Sequence, residues 1–295
     1  MNFRRAAVCG LIAVAACCWT TAASSQTIAE KGRNLLDKHR PSVVTVSMVV
    51  KIKMSFPGMG SRENELRMES TATVIDPSGL AVTSLNEVDP TGILDRMSGM
   101  GGGFSEASFE SNVEEAEYIL ETGDEIDVEI VLRDPDLDLA FFRPKEPVEE
   151  DMAFIDLADP SGVALLDQVL VLNRLGRVAN RAYSVSIEWI EAIMDRPRTF
   201  YIPGKQETRS GLGSPVFTLD GDVVGFVLVR AVQGSGGAMG MFGGGEDNMT
   251  AVILPAEDVA SLIPQALESE GEPVIDDEPL EDAPALEDEA VESGV

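Results

Sequence analysis

Cysteine is nearly absent from this chain. The three that occur, Cys9, Cys17 and Cys18, all lie within the first 18 of 295 residues. The rest of the chain therefore has no disulfide, no thiol nucleophile and no Cys-ligated metal site. Histidine is scarcer still: His39 is the only one, so it is the only imidazole base available. Basic side chains are few, with 22 Lys and Arg against 51 Asp and Glu and a formal net charge of −29. That balance argues against nucleic acid as a partner, because phosphate neutralisation needs clustered cations. It also disfavours adsorption to an anionic membrane surface. The apolar run at the N-terminus, "AAVCGLIAVAACCW", has 14 residues, short of the roughly 20 that cross a bilayer. No transmembrane span is expected once this segment is removed.

The same N-terminus reads as an export signal. Arg4 and Arg5 supply the positive start, the apolar run the core, and "TTAASSQ" a small-residue cleavage region ending near Ser25. Residues 1–25 are thus a signal peptide, and the mature chain is expected in the periplasm or cell envelope. "VAAC", Val14 to Cys17, also matches a bacterial lipoprotein box, which would leave Cys17 lipidated at the mature terminus. Both routes stay open on the sequence.

Hydrophobic residues make up 44% of the chain, enough to fill a core. "IAEKGRNLLDKHR" (28–40) has helical spacing and stops at Pro41. Short β-rich runs follow: "SVVTVSMVVKIK", "ELRMESTATVI", "LAVTSL", "DVEIVLR", "LDLAFFRP", "QVLVLNRL", "AYSVSIEWI", "TFYIP", "PVFTL", "DVVGFVLV" and "MTAVILP". Turn signals separate them, notably "DPSG" (76–79), "TGDE" (122–125) and Asp220-Gly221. This spacing predicts an all-β sandwich or barrel, or a pair of them. "PAEDVASLIPQAL" (255–267) reads as a closing helix, with Pro255 near its first turn and acids beside the positive dipole end. Of the last 28 residues 12 are Asp or Glu and none is basic, so 268–295 is expected to be a disordered acidic tail. "MSFPGMGS", "MSGMGGGF" and "GSGGAMGMFGGG" read as low-complexity loops. Thioethers can hold Cu(I), but the residues point to no metal site and no cofactor.

In this order the strands resemble the trypsin-fold domain of the HtrA (Deg) family of exported bacterial serine proteases, over about residues 28–267. "PSVVTV" is similar to the family's first strand. "TATVIDPSGLAVTSLNEV" resembles its segment with a Gly-Ser-Gly start, an Asp-x-x-Gly turn and a Leu-Thr-x-x-His end. "DLDLAFFRP" resembles the Asp-Leu-Ala strand, and "QVLVLNRLG" stands where a Gly-Asp-x-Val strand leads to a Gly-Asn-Pro-like turn. "SGLGSPVFTLDGDVVGF" (210–226) resembles Gly-Asn-Ser-Gly-Gly-Pro followed by a Leu-Asp-Gly hairpin. "TAVILPAEDVASLI" resembles the Phe-Ala-Ile-Pro strand and its helix. The resemblance implies two antiparallel six-stranded barrels with a cleft between them and short terminal helices. No PDZ domain is expected after Leu267, unlike in many family members. Trimers are usual in the family, so a homo-oligomer is a further expectation, although no motif here secures one.

By the same resemblance the catalytic positions fall on Asn86, Asp138 and Leu212. Only the carboxylate survives. A serine protease needs an alcohol nucleophile, a His to take its proton and an acid to orient that His. An amide is too weak a base near pH 7, and a leucine has nothing to attack with. Other registers leave hydroxyls at Ser210 and Ser214 but supply no base. His39 is expected as a surface residue near a helix C-terminus, and Lys205 as a solvated loop charge. The oxyanion loop maps to Ser210, Gly211, Leu212, Gly213 and Ser214, with the amides of Leu212 and Ser210 as its donors. Asp138 is expected to be kept for a structural hydrogen bond, with Asn86 a candidate partner.

The leading expectation is an exported, catalytically inactive HtrA-like protein that binds a peptide or envelope protein in the inter-barrel cleft. Leu212 would make the floor of that cleft apolar, and "AVQGSGGAMGMFGGGED" (231–247) would gate it. The rivals are an active serine endopeptidase with an unrecognised base, and a scaffold acting through its acidic tail. The leader makes a direct prediction. Mass spectrometry of the exported protein should find the first 16 to 26 residues missing, with lipid on Cys17 if the lipoprotein route is taken and an intact Met1 on neither route.

Overall fold

The computed structural model describes residues 26–56, 60–89, 91, 108–204, 211–231 and 249–271. The leader with its cysteines, Lys205, Ser210, the Gly/Met stretches at 97–104 and 234–245 and the tail from 272 onward lie outside the described residues. Two closed barrels form, with strand orders β1-β2-β3-β6-β5-β4 and β10-β11-β12-β9-β8-β7. The first uses β1 (Val43–Phe56), β2 (Gly60–Val74), β3 (Ala81–Ser84), β4 (Ser108–Ile119), β5 (Glu125–Asp134) and β6 (Leu139–Pro144). The second uses β7 (Gln168–Arg174), β8 (Tyr183–Met194), β9 (Phe200–Pro203), β10 (Pro215–Thr218), β11 (Val223–Ala231) and β12 (Met249–Pro255). The expected pair of six-stranded antiparallel barrels is what the chain makes.

One strand was not legible in advance. β4, "SFESNVEEAEYI", carries Glu110, Glu114, Glu115 and Glu117, and its acids break the apolar alternation. It is a strand because β1 pairs with it from Thr45↔Ile119 to Ser55↔Ser108. The register shifts between Val49 and Val50, which leaves Glu114 as the extra residue of a bulge. Pairing to a neighbour has overridden local preference.

Alternation sorts the side chains into three apolar clusters. Val44, Val46, Val74, Ala81, Tyr118, Val128, Ala140 and Phe142 fill the first barrel. Val169, Val171, Ile190, Tyr201, Val216, Val227, Val229 and Ile253 fill the second. The opposite faces of the same strands, including Val82, Leu139 and Phe141 of one barrel and Leu170, Phe217, Phe226 and Leu228 of the other, merge into one shared cluster. β11 keeps both faces apolar through a bulge. Val216 pairs with Gly225 and Phe217 with Val223, so Val224 is inserted and the in–out phase flips after it. Gly225 is obligatory there, because a Cβ would lie 1.9 Å from the Leu254 carbonyl oxygen.

Each terminal helix crosses to the far barrel. α1 (Ile28–His39) is started by a capping box in which Thr27 and Glu30 bond each other's backbone amides. The Thr-x-x-Glu spacing was in plain view in the sequence. α1 leans on the second barrel through Gly32, beside Val185, and Leu35. The expected closing helix is two pieces, α3 (Ala256–Ala260) and α4 (Ile263–Glu268). Pro264 sits in the first turn of the second piece, where it can start a helix but not continue one. α4 returns to the first barrel, where Arg143 donates to the carbonyl of Ser269 at 3.1 Å and to Glu129 at 2.9 Å. No described helix is long and apolar enough to cross a membrane.

His39 corrects its expectation. It is buried at the end of α1, with its ring stacked on Phe217 at 4.8 Å between centroids. Its Nε2 has no hydrogen-bond partner among the described residues. An apolar helix face had to cover β10, and the last residue of that face is the histidine. Burial, with a smaller push from the Lys38 charge, lowers its pKa from 6.5 to about 4. The folded state then resists a proton that the unfolded chain accepts below about pH 6.5. The contribution is present above that pH and is lost as pH falls toward 4. Urea denaturation at pH 7 and pH 4.5 should show the parent losing about 2 kcal/mol more than His39→Phe, which keeps the stack without the titration.

Candidate functional site

The candidate site lies where the two barrels meet. Ser84 pairs with Leu139 across β3 and β6, so the chain leaving β3 starts beside Asp138. It turns into a single helical turn, α2 (Leu85–Val88), whose Leu85 amide donates to the Asp138 carbonyl at 2.9 Å. Asn86 is therefore held directly against Asp138. Asp138 has φ 60, in the left-handed region that short polar side chains tolerate better than most.

From the described residues the buried Asp138 carboxylate accepts four hydrogen bonds. Oδ1 takes the Asn86 amide at 2.8 Å and Asn86 Nδ2 at 2.6 Å. Oδ2 takes Ser84 Oγ at 2.7 Å and the Val229 amide at 3.2 Å. Val229 belongs to β11, so the last of these bonds joins one barrel to the other. Burial raises the pKa of neighbouring Glu87, and the Asp138 charge adds to the same effect.

The loop carrying Leu212 approaches from the second barrel. The Gly213 amide donates to the Val227 carbonyl at 2.8 Å, the Val227 amide to the Ser214 carbonyl at 3.0 Å, and the Ser214 amide to the Gly211 carbonyl at 3.0 Å. These bonds zip the loop onto β11. Gly213 has φ +80 and touches the first barrel closely: a Cβ there would lie 2.3 Å from the Thr71 carbonyl oxygen and 2.6 Å from Thr83 Oγ1. Thr73 Oγ1 donates to the Gly213 carbonyl at 2.9 Å. Below the loop, Asn173 Oδ1 accepts from Thr71 Oγ1 at 2.9 Å and from Ser214 Oγ at 3.1 Å.

Leu212 itself is only 7% exposed and packs with the cluster that fills the second barrel. The expectation that it forms an apolar cleft floor is therefore corrected. Its hydrocarbon is satisfied inside the barrel, where burial of a leucine is worth about 2 kcal/mol. Ser214, one of the candidate hydroxyls, is wholly buried. Gly211, Leu212, Gly213 and Ser214 thus form a buried joint, while Ser210 lies outside the described residues. His39, stacked on Phe217, is engaged elsewhere.

Ser84, Thr71, Asn173 and the Val229 amide were not singled out in the sequence. Ser84 stood inside the Leu-Thr-x-x-His resemblance, directly after Thr83, and could have been flagged as a hydroxyl beside a buried acid. The others become partners only through strand register and the docking of two barrels.

The hydrogen-bond set makes Asp138 a structural pin, which urea denaturation can test. Asp138→Asn keeps the shape and the tolerance for positive φ, but turns one acceptor into a donor facing other donors. A loss of about 2–3 kcal/mol is expected, and a change below about 0.5 kcal/mol, the size of a neutral surface substitution, would contradict the role. Gly213→Ala should cost at least as much, since both space and φ oppose a side chain.

No family model matches the chain, and no curated protein matches it. Solved structures do. The apo protease domain of MamO from Magnetospirillum magneticum is 16% identical with a TM-score of 0.46, over 76% of this chain and 96% of that one. The HtrA-type protease AlgW, solved with a tripeptide, is 15% identical with a TM-score of 0.49, over 80% of this chain. The chain spans 64% of that protein, less than two thirds of its length. With two closed six-stranded antiparallel barrels joined at Asp138 and the Gly211–Ser214 loop, the chain has the double-barrel architecture of the trypsin-like fold.

Proposed function

We propose that this protein is an exported, catalytically inactive trypsin-fold protein that acts by binding a peptide or another envelope protein between its barrels. One observation carries the reading. The carboxylate that would orient a catalytic His is filled by Asn86, which donates both its backbone and its side-chain N–H to Oδ1. Asp138 serves the joint between the barrels through Ser84, Asn86 and the Val229 amide. Leu212, buried with Val169 and Ile190, adds to the reading, since no nucleophile stands at that position. Export is supported by the charged start and short apolar core of residues 1–25.

A serine-directed fluorophosphonate should fail to label the protein, and casein and short peptides should remain uncut. Asn86→His alone and Leu212→Ser alone should both leave it inert, because triad members act as a unit. Leu212→Ser should also cost about 2–4 kcal/mol by emptying part of a packed interior. Labelling of the unmodified chain at Ser210 or Ser214 would overturn the reading. Envelope proteins that co-purify with the mature chain should be retained after truncation beyond Gly271; their loss would transfer the function to the acidic tail.

A further inference from the structure

The outer side of the second barrel exposes apolar side chains where a solvated face would carry polar ones. On β8, Glu188 and Ile190 point inward and are buried, while Ile187 and Trp189 point outward, 45% and 50% exposed. Beside them runs the turn Ala164–Asp167, tied to β8 by the Leu166 amide on the Ile190 carbonyl at 2.8 Å and the Ile190 amide on the Asp167 carbonyl at 3.0 Å. Its two central residues are leucines, 56% and 65% exposed. Leu166 has φ 68, at the turn position that favours Gly or Asn, and a bulky residue is a genuine outlier there. Both the exposure and the backbone conformation run against stability. Features held at such a cost cluster at binding surfaces.

The charges nearby select the occupant. Asp167, whose Oδ2 is fixed by the Ala164 amide at 2.7 Å, follows Leu166 in the turn, and the exposed Glu191 follows Ile190 on the β8 bulge. A second copy would set acid against acid on a chain whose net charge is already −29. An anionic bilayer meets the same repulsion. We propose that Ile187, Trp189, Leu165 and Leu166, together with Asp167 and Glu191, form a docking surface for a protein segment that presents apolar side chains bracketed by Lys or Arg. The surface is separate from the Asp138 joint and stands whether or not the inter-barrel cleft binds anything.

Trp189 reports on its own occupancy. The chain has two tryptophans, so the full chain carrying Trp19→Phe has Trp189 as its sole emitter. Titration with the synthetic peptide Lys-Lys-Leu-Ala-Leu-Ala-Leu-Lys-Lys should shift its emission to the blue, and added salt should weaken the effect. The counterpart with Glu in place of every Lys should bind about tenfold more weakly or worse. The variant Leu165→Ser, Leu166→Gly should lose the shift while melting no lower than its parent, because Gly adopts positive φ freely. Equal shifts with both peptides, no shift with either, or a shift that survives in the variant would overturn the proposal. A blue shift that grows with protein concentration in the absence of peptide would assign the face to a second copy instead. A shift produced by neutral phosphatidylcholine vesicles and not by the Lys peptide would assign it to a lipid surface.

Discussion

Everything at the candidate site depends on how closely the two barrels can approach. Their outer faces share one apolar cluster, in which Val82, Leu139 and Phe141 meet Phe217, Phe226 and Leu228. At the closest point a glycine with φ +80 lies against the Thr71 carbonyl. No residue with a Cβ fits there without displacing backbone, so Gly213 sets the separation of the barrels. Around it these polar groups are paired: Thr73 on the Gly213 carbonyl, Asn173 between Thr71 and Ser214, Asp138 on the Val229 amide. Buried polar groups are costly when unpaired and specific when paired. That requirement fixes the joint in one arrangement.

The same requirement explains how a buried acid is kept at this joint. An orienting carboxylate and an inter-barrel pin ask for the same thing, a buried oxygen pair with several donors. Asn86 supplies two of those donors and needs no proton transfer to do so. Leu212 meets a different demand. Its loop is already held by backbone bonds to β11, so the side chain is free to serve the packing of the second barrel. The joint is a packed, hydrogen-bonded contact between the two barrels.

A second clamp closes the far side of the interface. Arg174 of β7 reaches the carbonyls of Ile119 and Leu120 at the end of β4, and its guanidinium lies 5.2 Å from the centre of the Tyr183 ring. Tyr183 in turn donates to the Val43 carbonyl at 3.1 Å. Five donors in a planar fork suit an arginine to bridging two successive strand-end carbonyls. With α1 on the second barrel and α4 on the first, each end of the chain braces the barrel it does not precede or follow.

The sequence by itself determined most of the strands. Alternating apolar runs separated by Gly and Asp turns specify strands, because side chains repeat every two residues and only one face needs burial. The order of motifs singled out Asn86, Asp138 and Leu212, and the side chains at two of those positions led to the expectation of neither a base nor a nucleophile there. Tertiary structure decided the rest. β4 is a strand only because β1 lies beside it, since four glutamates hide its pattern. His39 is buried only because α1 crosses to β10, and helical spacing says nothing about which barrel will cover a helix. Leu212 points into the second barrel, a direction set by the Gly213–Val227 hydrogen bond and by the space between Val169 and Ile190. Composition and periodicity are properties of neighbours in sequence. Burial, hydrogen-bond partners and the direction of a loop side chain are properties of neighbours in space, more than 100 residues apart at Thr71 and Asn173.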